Sequence, residues 1–65
     1  MSLILTNHAK KRIIERAVKL EEIQEAINFP DYAIKKQNIF EAHKNLKIIY
    51  SPLGKFIKII TVIIK

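Results

Sequence analysis

Phe29-Pro30 divides this 65-residue chain into two halves with different periods. Before it, apolar residues recur at helical spacing: Ala9, Ile13 and Ala17, then Leu20, Ile23, Ala26 and Ile27. After it, they alternate as in strands, and the residue preceding a proline is disfavoured in the helical region. Any fold must therefore place two short helices ahead of an antiparallel set of strands. That pattern predicts a two-layer α+β domain: a short first strand, two helices or one kinked helical hairpin, then a three- to four-stranded antiparallel sheet.

The elements follow from local signals. Leu3-Ile4-Leu5 is β-prone and forms the short first strand. Thr6 or Asn7 supplies a side-chain oxygen to cap the first helix, Asn7 to Arg16. Ala17-Val18-Lys19 is a joint. The second helix starts without a good cap at Lys19, but Glu21 and Glu22 suit the positive end of its dipole. Tyr32–Gln37 and Ile39–His43 read as strands, with Ile39, Glu41 and His43 on one side and Phe40 and Ala42 on the other. Lys44-Asn45 and Pro52-Leu53-Gly54-Lys55 read as turns. Between them, Leu46, Ile48 and Tyr50 share a face. The last strand runs from Phe56 to Ile64, and its Ile59–Ile64 segment is apolar on both faces, which predicts a central strand buried on both sides. Two short helices can cover only one side of such a sheet. The other side is expected to meet a second copy of the chain or a different partner.

Length and composition narrow the function classes. One domain, residues 1–65, is expected. With no cysteine there is neither a disulfide nor a thiolate metal site. No glycine-rich loop cradles a phosphate, no closely spaced histidine pair suggests zinc, and no cofactor is expected. Ser2 and Ser51 lack the context that activates a nucleophile. The net charge is +6, and ten of the twelve cations are lysines. That excess attracts RNA, DNA, anionic lipid or an acidic protein, and equally keeps a small apolar protein in solution. No run approaches the ~20 residues of a transmembrane helix, and Met1–Leu5 is too short for a signal peptide. A cytoplasmic protein with no membrane association is expected.

The residues able to do chemistry fall in two groups. At about 100° per residue, His8, Arg12 and Arg16 form one stripe on the first helix, beside the apolar Ala9-Ile13-Ala17 stripe. Glu41, His43, Lys47 and Tyr50 come from the strands. Together they form a general acid/base and cation set of the sort that metal-free RNA cleavage needs. One group removes the 2′-hydroxyl proton, another protonates the leaving 5′-oxygen, and cations stabilise the charge on phosphorus. In this reading His8, Glu41 and His43 are the catalytic candidates, and Arg12, Arg16 and Lys47 bind the nucleic acid. The opposite reading is a solvated sheet face and a helix stripe whose arginines pair with Glu15, Glu22 or Glu25. The residues alone do not say whether the chain is an enzyme.

Leu5-Thr6-x-His8-Ala9-x-x-Arg12-x-x-x-Arg16, then Val18-x-x-x-x-Ile23-x-x-Ala26-Ile27-x-x-Pro30, then strands ending in Ile60-Thr61-Val62, resembles the small prokaryotic family called domain of unknown function 4258. The likeness spans nearly the whole chain. It implies an α+β fold similar to the RelE-like and ParE-like toxins of toxin–antitoxin systems, many of them ribosome-associated mRNA endonucleases. It therefore implies RNA or the ribosome and an antitoxin-like protein as partners, beside the homodimer that the apolar sheet face suggests. The alternative is a non-enzymatic interaction or dimerisation module. Two positions depart from the family: Ala17 where it usually has glycine, and Lys19 where it often has Ser or Thr. If the joint needs a left-handed residue, alanine costs about 1 kcal/mol there.

Overall fold

A computed structural model describes residues 2–64. The elements are β1 (Ser2–Leu5), α1 (Asn7–Arg16), α2 (Leu20–Asn28), β2 (Tyr32–Lys36), β3 (Ile39–His43), β4 (Leu46–Leu53) and β5 (Phe56–Ile64). The four strands after the helices form an antiparallel meander, and β1 joins it as a parallel edge strand. The result is one five-stranded mixed sheet of order β1-β5-β4-β3-β2.

Thr6 resolves the choice of cap for α1. Its backbone is extended and its Oγ1 accepts from the Ala9 N–H at 3.1 Å. The same hydroxyl donates to the Ile60 carbonyl at 2.9 Å, and the Thr6 N–H donates to the Ile59 carbonyl at 3.2 Å. One short side chain thus fixes both the start of α1 and its seat on β5. At the other end, Ala17 takes a left-handed conformation, φ 52° and ψ 42°. Its N–H reaches the Ile14 carbonyl and the Val18 N–H the Ile13 carbonyl, which satisfies the last carbonyls of the helix. The joint does need a left-handed residue, and an alanine fills it.

Lys19 gives α2 no side-chain cap, since an ammonium has no acceptor. Instead Glu22 reaches back, and its Oε1 accepts from the Lys19 N–H at 3.3 Å. Glu25 then pairs with Lys44 at 3.0 Å and ties α2 to the β3–β4 turn.

Both helices lie on one face of the sheet, α1 over β5 and β1, α2 over β4 and β3. Ala9, Val18, Ile23 and Ala26 meet Ala42, Leu46, Ile48, Ile59 and Val62 there. Ile23, Ile48 and Ile59 are fully buried, and burial of each such side chain contributes about 2 kcal/mol. A bulge lets β5 serve this core along its length. Tyr50 pairs with Ile59 and Ile49 with Thr61, so Ile60 has no opposite number. The extra residue shifts the alternation by one, which turns both Ile59 and Val62 inward. β5 is interior to the sheet, as its apolar run predicts. Its outward positions are not buried, however: Ile63 remains 40% exposed. Among the described residues, nothing covers the sheet face away from the helices, and no helix is long and apolar enough to cross a membrane.

Candidate functional site on the open sheet face

The inward positions Ala42, Ile48 and Val62 fix the faces of the sheet. Glu41, His43 and Lys47 alternate with them and project to the open face. β3 pairs β4 with His43 opposite Lys47. On its other side it pairs β2 with His43 opposite Tyr32 and Glu41 opposite Ile34. Three of the strand residues expected at a site therefore do converge.

Glu41 is the centre of the cluster. It is only 8% exposed, yet three partners surround it. Lys36 Nζ lies 3.1 Å from Oε2, Lys47 Nζ 3.3 Å from Oε1, and His43 Nε2 3.5 Å from Oε1. Lys36 holds the carboxyl below its ordinary range, burial opposes this, and Lys47 reinforces it. Glu41 is consequently an ionised carboxylate near neutral pH. His43 is 7% exposed, and its ring stacks under Tyr32 with centroids 4.3 Å apart and planes 10° apart. Among the described residues, neither imidazole nitrogen makes a hydrogen bond. That is an unusual position for a buried polar ring. The arrangement is a histidine beside an oriented carboxylate, two ammonium groups at the rim and an aromatic lid. Such a set can hold a phosphate oxygen and exchange a proton with a group admitted beside the imidazole.

The helix stripe is elsewhere. α1 sits on the opposite face of the sheet, and there His8, Lys11, Arg12 and Glu15 line a shallow surface depression. His8 and Arg16 are exposed and Arg12 is half-buried. Among the described residues neither arginine forms an ion pair, so the pairing of Arg12 or Arg16 with Glu15, Glu22 or Glu25 is not what the structure holds. Within one chain His8, Arg12 and Arg16 cannot meet the substrate group that Glu41, His43 and Lys47 would meet. The two halves of the expected acid/base set are separated by the sheet itself. Tyr50, the remaining member, points into the helix-side layer, where burial raises its phenol above the ordinary value.

Tyr32 and Lys36 are the members that sequence reasoning missed. Their signal was present. A two-residue turn at Gln37-Asn38 puts Lys36 opposite Ile39, and counting back in steps of two brings Tyr32 to His43. Groups of acidic and histidine side chains able to hold a metal ion do not occur among the described residues.

No curated protein and no solved structure matches this chain. The family comparison does: the match runs over residues 5–64 and takes in the His8-Ala9-x-x-Arg12 opening, the left-handed joint at Ala17 and the closing strand, so the chain belongs to the family described as Domain of unknown function (DUF4258).

Proposed function

We propose that this protein is a small basic RNA-binding protein, similar in type to the RelE-like toxins, that cleaves RNA without a metal on its open sheet face. The observation that carries the reading is the Glu41–His43 pair flanked by Lys36 and Lys47. In the step envisaged, Tyr32 turns off the imidazole and a ribose enters. His43 takes the proton of the 2′-hydroxyl, and the Glu41 carboxylate beside it stabilises the imidazolium that forms. The 2′-oxygen bonds to phosphorus, the bond from phosphorus to the 5′-oxygen breaks, and Lys47 gives that oxygen a proton. Lys36 stabilises the negative charge on the phosphoryl oxygens. The products are a 2′,3′-cyclic phosphate and a 5′-hydroxyl. His8, Arg12 and Arg16 take no part in that step and serve as a second, phosphate-gripping surface on α1.

The test has two arms. With single-stranded RNA in excess chelator, the protein should yield fragments ending in cyclic phosphate, and His43→Ala should slow this by about 100-fold or more. Absence of fragments with the unaltered protein sinks cleavage. Binding is read from its salt dependence: Arg12→Ala with Arg16→Ala should flatten the log–log slope by about 1.4. An unaltered protein with no affinity for RNA at low salt sinks the binding reading as well.

One observation favours the second reading, an interaction module. Tyr32, Ile34, Ile39 and Ile63, at 55, 39, 41 and 40% exposure, border the polar cluster with apolar surface. A tight dimer in light scattering that is indifferent to RNA is its signature.

A further inference from the structure

The end of the sheet where the two long hairpins turn carries a second feature. β3 pairs β4 only as far as Phe40 opposite Tyr50. β4 continues with β5 to Leu53 opposite Phe56. Ser51, Pro52 and Leu53 therefore have no strand beside them on the β3 side. The space left between the two hairpin tips is an open notch of about 440 Å3, walled by Gln37 and Asn38 on one side and Ser51–Leu53 on the other, with Phe40 between them. That volume lies in the range of small-molecule sites.

Three observations point to what it takes. The Phe40 ring stacks on Tyr50, centroids 5.5 Å apart and planes 17° apart, so it presents an anchored aromatic face. Lys35 Nζ stands 5.6 Å from the Phe40 centroid, near the outer limit of a cation–π contact, and can lift away at little cost. Gln37, at the first central position of its two-residue turn, has φ +53°. The corresponding position of the β4–β5 hairpin is Gly54, at φ +60°, the residue such turns favour. The turn thus holds Gln37 in a conformation that glycine usually fills. Gln37 and Asn38 both belong to the lining of the notch, and each carries a carboxamide with a donor and an acceptor group.

We infer that the notch between the hairpin tips binds one unpaired base of single-stranded RNA. The base extends the Tyr50–Phe40 stack, the Gln37 and Asn38 amides bond its polar edge, and Lys35 moves from the ring to the adjoining phosphate. This rests on the RNA-binding reading for its biological meaning, but the site itself is testable without it.

Adenosine monophosphate is titrated into the unaltered protein while the proton resonances of the Phe40 and Tyr50 rings and the Lys35 side chain are followed. Saturable upfield shifts centred on Phe40 are expected; their absence overturns the inference. In parallel, Phe40→Leu is compared with the parent for affinity to a short single-stranded RNA. A loss of about 10-fold with an unchanged salt slope is expected, because a stacking partner goes and no phosphate contact does. A folded Phe40→Leu variant that binds as the parent does also overturns it, while salt-sensitive RNA binding on its own leaves the proposed function standing. Ring shifts with the nucleotide but no RNA binding uphold the notch and remove the larger reading.

Discussion

The imidazole of His43 and the phenol ring of Tyr32 lie face to face across the β2–β3 register, 4.3 Å between centroids. The tyrosine belongs to an edge strand and is itself 55% exposed, so it closes the candidate site from the solvent side. Tyr32→Ala should open His43 to acylating reagents and speed its modification several-fold. It should also cost about 1 kcal/mol of stability through loss of the ring pair. A His43 that reacts no faster in the variant would mean that something other than Tyr32 shields it.

Glu41 makes the fold sensitive to acid in a defined direction. Its folded carboxyl titrates below the ordinary 4.5 because Lys36 and then Lys47 favour the ionised form. A depressed folded value means that the contribution is present above about pH 4.5 and is lost as the pH falls through the folded value. Thermal midpoints of Glu41→Gln and the parent should therefore differ near pH 7 and converge toward pH 3. Parallel curves across that range would show that the two lysines do not tune this carboxyl.

Thr6 carries two hydrogen bonds on one oxygen, from the Ala9 N–H and to the Ile60 carbonyl. Thr6→Val removes both at nearly constant volume and should lower the unfolding free energy by about 2 kcal/mol. Thr6→Ser keeps both and should cost a small fraction of that. Urea unfolding of the pair checks the assignment, and equal losses would refute it.

At the α1–α2 joint the expected change has the opposite sign. Ala17 sits at φ 52° and is exposed, so Ala17→Gly removes a steric penalty without opening a cavity. A gain of about 1 kcal/mol in unfolding free energy is expected. A neutral or destabilising result would mean that the joint tolerates its alanine without strain.

Local features were legible in the sequence because their causes are local. The period change at Pro30, a cap at Thr6 or Asn7 and the shared face of Glu41 and His43 all follow from a few neighbouring residues, whereas a left-handed joint at Ala17 was suggested only by the glycine that the resembled family usually has there. What escaped depends on contacts distant in sequence. Nothing near Leu5 announces that it lies beside Ile59, and nothing near Ile60 announces a bulge. The bulge also explains why β5 reads as apolar on both faces, since a phase shift in one strand mimics burial on two sides. The separation of His8, Arg12 and Arg16 from Glu41, His43 and Lys47 was invisible for the same reason. It depends on which sheet face the helices cover, and that choice is made by the whole core.

The parallel seating of β1 against β5 sets an order of events during synthesis. Leu5 is made well before Ile59, the residue beside it on β5. Until β5 is made, Leu3 and Leu5 have no strand to join, and Thr6 has no carbonyl at residue 60 to hold. The α-helices and the β2–β3 and β3–β4 hairpins can form from short-range contacts. The leading strand must wait for a closure spanning most of the chain, the kind of contact that slows folding.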